Sequence, residues 1–253
     1  MKTTIIKKLE EIEKANDITI LFACESGSRG WEFPSPDSDY DVRFIYVRPL
    51  NYYLSVLDKD DQLRFPINEE LDIYGWDIRK VLKLIRKSNT TPFEWLQSPI
   101  IYREKEKFRD DLWQLCQSYF YQKNNINHYL GIAHGALETI INDDEIKIKK
   151  LFYILRPLLS AKWCLEKGTI APMTISPLLT LMPEKLQTIV KDLIDLKSTS
   201  AEGFIIKINA ELKTYINEQF ELCGNGAKDL PKESFDLEKL DIFFRNTISR
   251  YDN

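Results

Sequence analysis

The sequence predicts an α+β chain: an N-terminal half of alternating strands and helices, then a C-terminal half that is helical throughout. Two observations carry this. Apolar runs of strand length at residues 18–24, 40–47 and 70–76 lie between turn signals. From about residue 108 the apolar positions recur at helical spacing instead. The 253 residues suffice for one large or two small domains with a sizeable core, and the change of pattern predicts a division into 1–107 and 108–253.

In order, residues 3–14 read as a helix with Ile5, Ile6, Leu9 and Ile12 on one face. Residues 18–24 form a buried strand, followed by a short helix or turn near 29–33 that Pro34 and Pro36 stop. Residues 40–47 form a second strand, 52–58 a short helix or strand, 70–76 a third strand, and 78–87 a helix. Thr91 is read as the cap of a further helix, with Pro92 at its first position and Glu94 at its third, the pattern of a capping box. A last strand is expected at 99–102. Helices follow at 108–122, 126–141, 145–167, 183–197, 203–222 and 236–250, punctuated by Asn142-Asp143-Asp144, Gly168, Pro172 and Gly224-Asn225-Gly226.

Composition narrows the function. The net charge of −4 argues against a protein that coats nucleic acid, although a local basic pocket for a nucleotide remains compatible. Four scattered cysteines without a C-x-x-C pair and only two histidines argue against zinc. The cysteines sit among apolar residues, which predicts reduced buried thiols and a cytoplasmic home. No signal peptide and no membrane-spanning run is read.

The chemistry-bearing residues cluster early. Asp39 and Asp41 stand two apart at the start of a strand and project from one face, where they repel unless a cation lies between them. Magnesium, which takes hard oxygen ligands and phosphate oxygens together, is the natural cation. Ten residues upstream, Gly27 permits close backbone approach and Ser28 offers a hydroxyl and an N–H to a phosphate, with Arg29 beside them. Asp72, a charge inside the apolar run Leu71-Asp72-Ile73, is the favoured third ligand or general base. Asp77 is the reserve, because capping the helix at 78 accounts for it. Arg43 shares the face of Asp39 and Asp41 and either touches a phosphate or neutralises the carboxylates. In the helical half, Ile148, Leu151, Phe152, Leu155, Leu158, Leu159 and Trp163 form an apolar stripe. Lys149, Lys150, Tyr153, Arg156 and Ser160 lie opposite it, and Pro157 predicts a kink.

Gly27-Ser28, ten residues, Asp39-Tyr40-Asp41 and then Leu71-Asp72-Ile73 resemble the nucleotidyltransferase superfamily that includes DNA polymerase β. The segments SGSRGW, DSDYDVRF, DIYGWDIRK, EWLQSPIIY and LRPLLSAKW resemble one family within it, the RNA repair pathway DNA polymerase beta family. That resemblance implies a mixed sheet with flanking helices, an all-α C-terminal domain closing the nucleotide cleft, and two magnesium ions. It further implies transfer of NMP from an NTP, the substrate, to a hydroxyl acceptor such as an RNA end. Asp39, Asp41 and Asp72 would hold metal and catalyse. Gly27, Ser28, Arg29, Arg43, Lys150, Tyr153 and Arg156 would bind the nucleotide. The same chemistry on a protein or small molecule, and a nucleotide-binding regulatory module, remain as alternatives.

Overall fold

The computed structural model describes residues 1–66, 70–138 and 145–252. The chain forms two compact units, one of Met1–Gly30, Asp39–Tyr119 and Ser234–Asn253, the other of Trp31–Ser38 and Phe120–Glu233. The units therefore do not divide at residue 107: residues 108–119 and the C-terminal helix pack with the sheet, and a short early segment packs with the helices.

In the first unit, α1 (Lys2–Asn16) leads into β1 (Thr19–Glu25) and the four-residue turn of helix α2 (Gly27–Gly30). Then come β2 (Tyr40–Val47), α3 (Leu50–Tyr53), β3 (Gln62–Arg64), β4 (Leu71–Asp77) and α4 (Ile78–Arg86). The unit continues with α5 (Thr90–Leu96), β5 (Ile101–Glu104) and α6 (Phe108–Gln117). The sheet is mixed, in the order β3-β4-β2-β1-β5. Only β2 and β4 run parallel; the other pairs are antiparallel.

Ile5, Leu9 and Ile12 of α1 share one buried cluster with Val42, Phe44 and Tyr46 of β2. Strand alternation therefore turns Asp41, Arg43 and Ile45 to the opposite face. There α4 and α5 contact the sheet, and Trp95 of α5 stacks on Trp76 of β4 with ring centroids 4.2 Å apart. The cap of α5 differs from the expected one. Asn89 is the N-cap, two residues before Thr91, and its side chain accepts the Thr91 N–H at 3.0 Å.

The second unit holds α7 (Gln122–Leu137), β6 (Glu145–Lys147), α8 (Ile148–Lys167), α9 (Ile175–Leu179), α10 (Glu184–Thr199), β7 (Ile205–Lys207) and α11 (Ala210–Lys228). The end of the helix expected at 126–141 and the Asn142-Asp143-Asp144 break lie outside the described residues. The C-terminal half is not all-α: β6 and β7 pair as an antiparallel ribbon, Ile146 opposite Ile206, both buried. Alternation of exposed and buried residues over three positions sets this ribbon, and each strand runs almost directly into a helix.

The helix α8 continues through Pro157 and is buried on most sides, Arg156 and Ser160 included, so its polar side is no solvent face beyond the half-buried Lys149, Lys150 and Tyr153. Gly224 and Gly226 do not end a helix. They lie inside α11, and a Cβ on Gly226 would come within 2.7 Å of Leu165 Cδ1. The last element, α12 (Glu238–Tyr251), belongs to the first unit and packs on α4. All four cysteines are buried and free, and no described helix is long and apolar enough to cross a membrane.

Candidate active site

The site is assembled where β1 ends and β2 begins. Glu25, the last residue of β1, is fully buried, and its Oε1 accepts the Asp41 N–H at 2.7 Å. Its Oε2 accepts from the Tyr102 hydroxyl of β5. Burial raises the Glu25 pKa, against the hydrogen bonds from Tyr102 and Asp41 N, which lower it. A buried carboxylate thus fixes the backbone that presents Asp41.

Gly27 follows with φ +57°, and a Cβ on it would lie 1.9 Å from Asp41 Oδ2. Only glycine lets the turn after β1 close against that carboxylate. Ser28 is buried inside the same turn. The Arg29 guanidinium lies 4.1 Å over the Tyr40 ring, and its Nε donates to the Asp39 carbonyl at 3.2 Å.

The parallel pairing of β2 with β4 sets Asp41 directly beside Asp72. Arg43, two residues along β2, reaches both: its Nη2 donates to Asp41 Oδ1 and to Asp72 Oδ2, each at 2.7 Å. Its Nη1 donates to the carbonyls of Val42 at 3.1 Å and Asp72 at 2.8 Å. The Arg43 side chain is 8% exposed, whereas those of Asp41 and Asp72 are 27% and 25% exposed, so the carboxylates look outward over a covered cation. The guanidinium also lies 4.0 Å over the Tyr74 ring, whose neighbour across the face is Trp95. Of the two roles foreseen for Arg43, the structure displays the neutralising one.

Asp77 is a helix cap. Its Oδ1 accepts the Arg79 N–H at 2.8 Å and its Oδ2 accepts from the Tyr53 hydroxyl at 2.9 Å. Burial, the larger influence, raises its pKa. Asp39 is exposed just before β2. In the second unit, Arg156 is buried, donates through Nε to the Met173 carbonyl at 2.9 Å and lies 4.5 Å over the Trp31 ring. Tyr153 meets the same ring edge-on at 5.5 Å. Lys150 is half-buried on α8.

So Gly27, Asp41, Arg43 and Asp72 come together in one place, and Tyr153 and Arg156 gather around Trp31. Sequence reasoning missed Glu25 and Tyr102. A charged residue ending an otherwise apolar strand was the available signal for Glu25.

Residues 1–246 match the profile of the RNA repair pathway DNA polymerase beta family. The chain belongs to this family. A Bacillus subtilis (strain 168) protein described as the uncharacterized protein YcgL is 37% identical over 251 residues, spanning 98% of this chain and 96% of that protein. A crystal structure of a nucleotidyltransferase-like protein from Exiguobacterium sibiricum 255-15 spans 100% of this chain and 81% of its own at 10% identity, with a TM-score of 0.33. That likeness is too slight to support any inference.

The donors suit a magnesium ion in part. Asp41 and Asp72 offer adjacent hard oxygens with partial exposure, and one or two carboxylates completed by phosphate oxygens and water are a usual magnesium set. Among the described residues, no three His, Cys, Asp or Glu side chains stand together closely enough to hold a metal, so Asp39 is not gathered with the other two.

Proposed function

We propose that this family member is a magnesium-dependent nucleotidyltransferase (a reaction of EC 2.7.7 type) that moves NMP from an NTP to an acceptor hydroxyl. The observation that supports this most is the side-by-side placement of Asp41 and Asp72 by the β2–β4 register, with Gly27 closed against Asp41. One guanidinium against two adjacent, partly open carboxylates leaves a net negative charge for a further cation to offset.

In the step proposed, the acceptor oxygen forms a bond to the α-phosphorus. The bond from that phosphorus to the bridging oxygen breaks, and pyrophosphate leaves with the electron pair. The acceptor proton passes to Asp72. Asp41 and Asp72 would hold magnesium, which would supply Lewis-acid charge neutralisation at the phosphates, and Asp39 would join them only through a shift of the residues before β2. Gly27 and Ser28 bring backbone close to the phosphates, with Arg29 alongside. Arg43 holds both carboxylates in place, and Glu25 holds the Asp41 backbone. The family description favours an RNA acceptor over a protein or small-molecule hydroxyl.

One observation favours a second reading, a nucleotide-binding regulatory module: Arg43 occupies an oxygen of each carboxylate, and the third acid stands apart. Incubation with magnesium, each α-labelled NTP and a panel of RNA, protein and small alcohols separates the two. Label transferred to an acceptor with pyrophosphate released is expected. NTP binding with neither product, across the whole panel, would leave only the regulatory module.

A further inference from the structure

A cavity of about 450 Å³ opens on the sheet beside Asp72, which forms part of its wall. Its other main lining groups are Arg64 and Phe65 at β3, Tyr74 and Trp76 on β4, and Lys80 on α4. The size falls in the range of roughly 300–1,000 Å³ usual for small-ligand sites.

The lining has a definite chemistry. Three aromatic side chains offer flat faces and edges. Trp76 is half-buried, stacked on Trp95 from one side, and the remainder of it lines the cavity. Two cations stand at its rim, an exposed Arg64 and a half-buried Lys80. Arg64 is opposite Tyr74 in the β3–β4 register. Lys80 Nζ is tethered to Gln62 Oε1 at 2.8 Å and Asp61 Oδ1 at 3.2 Å, 5.6 Å from the Trp76 ring. Protection of the edge strand β3 accounts for exposed cations, but not for Tyr74 and Trp76, which lie on the same face as the paired carboxylates, while Phe65 reaches the cavity from the strand end and also packs against the α1-side cluster.

A ligand that answers this set has a planar ring to stack, a phosphate for the cations, and a hydroxyl for Asp72. A polycationic sugar would be repelled by Arg64 and Lys80, and a protein side-chain hydroxyl would leave the aromatic wall unused. We infer that this cavity is the acceptor pocket and takes the terminal nucleotide of a single-stranded nucleic acid, its base against Trp76 and Phe65, its phosphate at Arg64 and Lys80, and its terminal hydroxyl at Asp72. This rests on the transferase reading and adds the acceptor class and the residues that select it. Base stacking and phosphate contacts together are the usual means of gripping a single strand. The overall negative charge of the protein requires that this grip be local, as the pocket is.

Anisotropy of a short oligonucleotide carrying its dye at the 5′ end, without NTP or magnesium, tests the pocket apart from the chemistry. The full-length protein is expected to bind ribo- and deoxyribo-oligomers alike or to prefer one, and the preferred sugar identifies the natural strand. Arg64→Glu and Lys80→Glu each weaken binding about tenfold at low salt, and Trp76→Phe weakens it a few-fold with an unchanged circular dichroism spectrum. Wild-type binding by the Arg64→Glu/Lys80→Glu double variant would overturn the pocket. Oligomer bound through these residues yet never extended would remove the transferase reading and leave the pocket. Extension with an unchanged oligomer KM in the double variant would do the reverse.

Discussion

Each compact unit buries cations, and Arg43 and Lys197 are buried differently. In the sheet unit, Arg43 is covered, but its two carboxylate partners are each about a quarter exposed. In the helical unit, Lys197 of α10 is fully buried, and its Nζ donates to the Ser35 hydroxyl at 2.8 Å. Around it Glu202 accepts from Ser38 at 2.8 Å and pairs with Lys149, while the Glu202 N–H donates to Asp37 at 3.0 Å. Burial lowers the Lys197 pKa, with Glu202 opposing that shift. The contrast separates a site from a fastening. Arg43 pairs directly with two carboxylates that remain partly open, whereas Lys197 donates to a neutral hydroxyl and the groups around it hold segment 31–38 onto its own unit.

The sharpest way to break this contrast is to remove each cation. Arg43→Met leaves two neighbouring carboxylates uncompensated and is expected to cost about 3 kcal/mol in urea unfolding. Magnesium should then stabilise the variant more than the parent, since a cation that binds only the folded state raises stability by mass action. Lys197→Met, by contrast, removes a poorly solvated charge and should change stability by no more than about 1 kcal/mol. Equal costs at the two positions would erase the distinction drawn between them.

Gly27→Ala probes the geometry on the carboxylate side. The left-handed backbone and the collision with Asp41 together should cost about 2 kcal/mol, and transfer should fall on the order of 100-fold through misplacement of Asp41. A variant with parental melting temperature and rate would show that the turn does not position the acid.

The smallest effect concerns Glu25. Its folded-state pKa is raised above the ordinary 4.5, so the fold holds its proton to higher pH than the unfolded chain does. Its contribution is therefore complete below 4.5 and declines as pH rises through the raised value. Glu25→Gln, which still accepts the Asp41 N–H, lacks that decline. The gap in melting temperature between variant and parent should move in the variant's favour from about pH 4 to pH 7. A gap that stays flat would mean that Glu25 ionises as freely in the fold as outside it.

These particulars show what sequence could reveal. Gly27 and Asp41 could be singled out together because they lie on one short stretch, and the structure closes the one against the other, whereas Asp39, singled out with them, stands exposed before β2. Asp72 could be preferred over Asp77 because a helix starts immediately after Asp77, and the structure shows Asp77 capping it. The Arg43 bridge to Asp72 spans 29 residues and depends on a parallel strand pairing that no local pattern encodes. The bond from Tyr102 to Glu25 spans 77 residues, so the buried carboxylate behind Asp41 passed as the end of a strand. In the helical unit, Gly224 and Gly226 carried a turn signal but lie inside α11, where Gly226 alone sits close against Leu165, and the β6–β7 ribbon was hidden by strands of three residues abutting helices.

The central claim is that the Asp41–Asp72 pair is the working centre of a transferase. The most direct measurement is the rate of pyrophosphate release from an NTP, with magnesium and a saturating single-stranded acceptor, for the parent, Asp41→Asn and Asp72→Asn, each checked for an intact fold by thermal melting. The account predicts release by the parent and a loss on the order of 1,000-fold in both variants. Release at the parental rate in either folded variant would contradict it.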